Sequence, residues 1–129
     1  MHINKQLGLS YVMDMEDLYN EVLQVYVEEA PQLRADIVEA FSAKDWDLYC
    51  TKVHALKSTS LNIGAEDLSE KAKESEYACK RMNGEETEGY AADNDIADLK
   101  EREVKFITDR HEALMQLFDE VVAEASSMT

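Results

Sequence analysis

Near the middle of the chain runs Val53-His54-Ala55-Leu56-Lys57-Ser58-Thr59-Ser60-Leu61-Asn62-Ile63-Gly64-Ala65. Wound as a helix at about 100° per residue, it sets Lys57 and Ser58 beside His54, at i+3 and i+4 on the same ridge. A neutral imidazole is a nucleophile near pH 7. An ammonium one turn away can offset negative charge as it builds on an incoming phosphoryl group. Serine at position 58 is small, so a second protein's backbone can come close. Nucleophile, cation and clearance all lie on one ridge.

The helix that must present these residues has a defined apolar side. Trp46, Tyr49, Val53, Leu56, Ser60 and Ile63 form one stripe, and His54 lies about 120° from its middle, at the rim of the buried face. Asp45 suits the N-cap of this helix, and Gly64 suits its C-terminal end. A following helix is expected from about Ala65 to Met82, with Leu68, Ala72, Cys79 and Met82 facing one way. Folding the two back on each other at Gly64-Ala65 puts His54 opposite Ser75-Glu76 and Cys50 opposite Cys79. A Glu76 carboxylate that takes a hydrogen bond from the His54 ring would orient it and leave its other nitrogen free.

Upstream, Ile3 to Ser10 reads as a turn or one helical turn over an end of the bundle. Asp14 is the expected N-cap of a first long helix, in which Met15, Leu18, Tyr19, Val22, Leu23 and Tyr26 recur at helical spacing through Glu29. Pro31 predicts a break and a second helix with Leu33, Ile37, Ala40 and Phe41 on its apolar face. Downstream, NGEETEGYAADND from Asn83 to Asp95 reads as a loop. A last helix is expected from Asp95 to about Ala125, carrying Ile96, Leu99, Phe106, Ile107, Leu114, Leu117, Phe118, Val121 and Val122, before a frayed SSMT tail. The fold class implied is all-α: an antiparallel four-helix bundle with an additional short bridging helix after Pro31.

Composition agrees with that class. The chain has 129 residues, enough for one domain over 1–129 with a single core. Apolar residues make up 45%, too many for a disordered tail, and four Gly with one Pro suit helices. A net charge of −15 argues against nucleic acid or an anionic membrane and suits a partner with a basic patch. No run approaches the roughly 18 apolar residues of a membrane span, and no signal-peptide pattern is expected. Two cysteines without a secretory cue point to a reducing, cytoplasmic setting. Cys50 and Cys79 read most simply as small core residues. Their level positions make a disulfide conceivable, though not one expected to persist there. His2, near a terminus, and His111, without small neighbours, are assigned no chemistry. A di-iron bundle would need Glu-x-x-His pairs. Thr51 and Thr108 occupy the glutamate positions, so no metal is expected.

HALKSTSLNIGA resembles the signature of histidine-containing phosphotransfer (HPt) domains, His-x-Leu-Lys-Gly followed by small residues and Gly-Ala. His54, Leu56, Lys57, Gly64 and Ala65 match, and Ser58 stands where that family usually has glycine. The run AEDLSEKAKESE is similar as well and puts Glu76 where members carry a glutamine or glutamate facing the histidine. This resemblance implies a phosphorelay intermediate, without autokinase activity or nucleotide, that exchanges phosphoryl groups with the aspartate of a response-regulator receiver or a hybrid histidine kinase. It implies a phosphoramidate on Nε2 of His54, charge stabilisation by Lys57, and docking through Ser58, Leu61 and Ala65. The Mg²⁺ of such transfer would belong to the receiver, so no cofactor is expected, and the chain should act as a monomer. A kinase dimerisation hairpin would favour an acidic residue after the histidine and a proline further on. Ala55 and Thr59 stand there instead. The alternative is a bundle that binds receivers without carrying phosphate.

Overall fold

A computed structural model describes residues 2–82 and 96–129, with side chains of 96–99 excluded. The expected loop at 83–95, and the core roles of Ile96 and Leu99, lie outside the described residues. Among the described residues five helices follow one another: α1 (Lys5–Ser10), α2 (Glu16–Ala43), α3 (Trp46–Asn62), α4 (Glu66–Met82) and α5 (Ile96–Met128). The last four form the antiparallel bundle, each packed on two neighbours in the cyclic order α2, α3, α4, α5, while α1 lies against α2.

The short fifth piece is therefore α1 and not a helix after Pro31. Pro31 sits inside α2, which runs unbroken for 28 residues. Its ring and missing donor cost a helix about 3 kcal/mol. Against that, the stripe Tyr19, Leu23, Tyr26, Ala30, Ile37 and Ala40 is buried on both sides of the proline. Each large apolar member contributes about 1.5–3 kcal/mol on burial. Ending the helix at Pro31 would turn Ile37 and Ala40 away from the core.

Asp14 is not the N-cap of α2. Its φ of 59°, with Met13 at 53°, places both in the left-handed region and turns the chain out of α1. An N-cap needs extended backbone, and Met15 holds that position without a side-chain cap bond. Asp45 does cap α3, its carboxylate accepting from the Leu48 amide at 3.2 Å. Most of the α3 stripe is buried as its spacing requires: Tyr49, Val53, Leu56, Ser60 and Ile63 have no exposed surface, while Trp46 at its start is only partly buried. At the other end of the chain, α5 continues to Met128, because Ala125 is still fully buried and Met128 packs on the core. The last residues therefore do not fray at Ala125.

The turn between α3 and α4 sets the level of everything above it. Gly64 has φ 88°, open to glycine at little cost, and the N-terminal segment is pressed onto it. The Asn4 amide donates to the Gly64 carbonyl at 2.8 Å, and the Tyr19 hydroxyl donates to the Ile63 carbonyl at 2.9 Å. A Cβ on Gly64 would overlap the Asn4 carbonyl. Gly64→Ala is therefore expected to lower stability by about 2 kcal/mol or more, read as a lower urea midpoint at unchanged slope.

Candidate functional site

α3 carries His54 and Lys57 on its α4-facing rim, and α4 carries Glu76 level with them. Register comes from the Gly64 turn and from Ser69 on α4, whose hydroxyl donates to the Lys57 carbonyl at 3.0 Å. Across this seam His54 Nδ1 lies 2.6 Å from Glu76 Oε1. Lys57 Nζ lies 2.6 Å from the other oxygen, Oε2. Lys80, one turn further along α4, brings its ammonium to 3.8 Å from Oε1. The carboxylate is thus shared by an imidazole and two ammonium groups.

The three side chains are exposed to different degrees, and this decides what each can do. Glu76 is 5% exposed at its side chain, against 59% for His54. Burial pushes the Glu76 carboxyl up. Hydrogen bonds from Lys57 and His54, with their charge, outweigh burial and hold it below its ordinary 4.5. Glu76 is therefore ionised at neutral pH and can only accept. The hydrogen of a neutral His54 must then sit on Nδ1, which leaves the lone pair on Nε2 of an exposed ring. Such a ring is a fixed, outward-facing nucleophile, beside cations suited to an anionic electrophile.

The other expected positions divide. Ser58 is exposed and Leu61 half-buried on the same face as His54. Ala65 does not belong to a docking patch: it is fully buried. Its amide closes the α3 terminus on the Ser60 carbonyl at 2.9 Å, so its methyl faces the core beneath the turn. An apolar groove instead flanks α3 on its α2 side, about 370 Å³, lined by Thr59 and Asn62 of α3 and Leu18, Val22, Val25 and Tyr26 of α2. Leu18 and Val25 are exposed there. At the base of the same seam the Tyr26 hydroxyl pairs with Ser60 Oγ at 3.0 Å, and burial pushes its pKa up to about 12.

His111 and His2 serve packing. His111 stacks on Phe41 at 3.8 Å between ring centroids and pairs through Nδ1 with the Tyr49 hydroxyl at 3.0 Å. Burial, with the charge of Arg34, holds its pKa below 6.5. The His2 amide donates to the Glu124 carboxylate at 3.0 Å, tying the N-terminus to α5. Lys80, Ser69 and the α2 side of the groove escape sequence reading. Lys80 carried a usable signal, since it stands at i+4 from Glu76 on a helix already set opposite His54.

A family model described as Hpt domain matches residues 21–124. The fold is similar to the crystal structure of the HPT domain from a sensor hybrid histidine kinase of Shewanella, with TM-score 0.59 and 20% identity over 95% of each chain. No curated protein sequence matches significantly.

Because Glu76 titrates below its unfolded value, its contribution to stability is full above pH 4.5 and is lost as pH falls through the lower folded value. Glu76→Gln is expected to remove that component. Urea unfolding at pH 7 and at pH 3 should then show a smaller loss on acidification in the variant than in the wild type.

Proposed function

The chain belongs to the Hpt domain family, and from that membership we propose that His54 carries a phosphoryl group to or from the aspartate of a response-regulator receiver domain. The family comprises phosphotransfer modules of two-component signalling, carriers rather than catalysts. The observation that carries the assignment to His54 is the 2.6 Å contact between its Nδ1 and the buried Glu76 carboxylate. It leaves Nε2 as the nucleophile on an exposed ring.

In the step proposed, the Nε2 lone pair attacks the phosphorus of an aspartyl phosphate. The bond from phosphorus to the aspartyl oxygen breaks, and the carboxylate leaves with its electron pair. The ring keeps its Nδ1 hydrogen and gains positive charge, which the Glu76 carboxylate 2.6 Å away offsets. Lys57 and Lys80 offset the charge of the phosphoryl oxygens. In the reverse transfer the aspartate carboxylate attacks phosphorus, the N–P bond breaks and neutral imidazole leaves with the electron pair on Nε2, so the same contacts serve both directions. Mg²⁺ for this exchange would be held by the receiver.

Ser58 leaves room above the ring for the receiver's backbone. Leu61 and the groove with Leu18, Val22 and Val25 supply apolar surface that a receiver would cover. We take residues 1–129 as one domain acting as a monomer in the cytoplasm. Among the described residues no helix is long and apolar enough to cross a membrane.

His54→Gln is expected to abolish label uptake from a phosphorylated receiver while circular dichroism stays helical. Label retained in that variant would refute the site. Binding without label in the wild type would favour a receiver-binding bundle that carries no phosphate. Val25→Asp, at an exposed groove position, should weaken receiver binding about tenfold, ~1.4 kcal/mol, by calorimetric titration, with helicity unchanged.

A further inference from the structure

The α3–α4 seam continues below the His54–Glu76 pair to a second pair of reactive side chains. Cys50 precedes His54 by one turn, and Cys79 follows Glu76 by one turn on the antiparallel helix. Both are thiols, Cys50 half-buried and Cys79 buried. They line one cavity of about 400 Å³ with Trp46, Met82, Lys44 and Lys100, and with Asp45 and Asp47 at the same opening.

Their separation is bounded by the backbone. Cys79 Sγ lies 3.9 Å from the Trp46 carbonyl oxygen. In an α-helix that carbonyl takes the amide of the residue four further on, here Cys50, at about 2.9 Å. Cys79 Sγ is therefore within about 7 Å of the Cys50 nitrogen by the same geometry. Disulfides join cysteines whose Cα atoms are about 4.4–6.8 Å apart; both thiols line the same cavity, so closure needs their side chains to rotate toward each other there and α3 and α4 to come within that range.

We propose that Cys50 and Cys79 form a redox modification site, a dithiol that a hydroperoxide closes to an α3–α4 disulfide one turn from the His54–Glu76 pair. Cys50 is the more exposed of the two thiols, with Lys44, Lys100, Asp45 and Asp47 around the same opening, and its thiolate is the form that reacts. The Cys50 thiolate attacks a peroxide oxygen of hydrogen peroxide. The O–O bond breaks, giving a sulfenic acid and a hydroxide that takes up a proton. The Cys79 sulfur then attacks the Cys50 sulfur, the S–O bond breaks, and the oxygen leaves as water with the second thiol proton. In sum two thiols and one hydrogen peroxide give one disulfide and two waters. The bond would fix the two helices whose relative position sets the His54–Glu76 contact, and glutathione or thioredoxin-type thiols would reverse it.

The test uses the full chain, reduced, freed of reductant and exposed to dilute hydrogen peroxide. Intact mass should fall by two hydrogens. Tryptic digestion should yield one species linking peptide 45–52 to peptide 74–80, separated again by dithiothreitol. Cys50→Ser should give no linked species, and His54→Gln should crosslink as readily as the wild type, which keeps this outcome independent of phosphoryl transfer. The oxidised protein should unfold at a higher temperature than the reduced one, as expected for a constrained unfolded chain. Peptides oxidised separately, a dimer linked through Cys50 alone, or an oxidised form that melts below the reduced one would each overturn the proposal.

Discussion

A carboxylate buried among helices must be paired, and most of what distinguishes this molecule follows from how Glu76 meets that demand. An unpaired charge in such a place costs several kcal/mol. Here the cost is offset by partners that reach it from two helices, His54 and Lys57 from α3 and Lys80 from α4. Because the acid and the imidazole come from different helices, the pairing ties α3 to α4 at the site. It also fixes the ring's tautomer. The constraint leaves only one nitrogen of His54 for chemistry and directs it outward.

A second buried acid shows what the same demand yields without a reactive group. Glu103 on α5 is 3% exposed and is held by both arms of the Arg81 guanidinium at 3.0 Å. Arginine stays charged and offers no lone pair, so that pair ties α4 to α5 without presenting a nucleophile. Replacing the guanidinium by an imidazole with an exposed ring is what turns such a seam into a candidate site. Similar reasoning separates the three histidines. The His111 ring is stacked on Phe41 and the His2 backbone is clamped by Glu124, while among the described residues His54 alone pairs a buried carboxylate with an exposed ring.

The supports of the site lie away from it. The α3–α4 turn depends on Gly64 and on the N-terminal segment seated against it, with Asn4 and Tyr19 bonded to its carbonyls. A long α2 then braces α3 from the other side, through Tyr26 to Ser60 and through the ion pair of Asp36 with Lys52 at 3.3 Å. Between those braces α3 is held along both flanks, and only its outer ridge, with His54 and Ser58, meets solvent. The chain's net charge of −15 surrounds a point where two lysines converge. Local cations in an acidic molecule are what the proposed phosphoryl transfer would need.

Local spacing was enough to read the α3 stripe, the Asp45 cap, the Gly64 terminus and the His54–Lys57–Ser58 ridge, because each depends on residues within a turn or two of one another. It also reached the level of Glu76, since a hairpin of two helices leaves only one register open. At Pro31, Asp14 and Ala65 the structure departs from the local signal for a common reason. Helix ends and surface exposure are settled by which neighbour covers a residue, and a proline penalty of about 3 kcal/mol is smaller than the burial that a continuous α2 secures. The depth of Glu76, its second ammonium partner Lys80, and the groove between α2 and α3 arise where separate helices meet. Only the packed bundle decided them, because burial and charge pairing are properties of the assembled surfaces and not of any one segment.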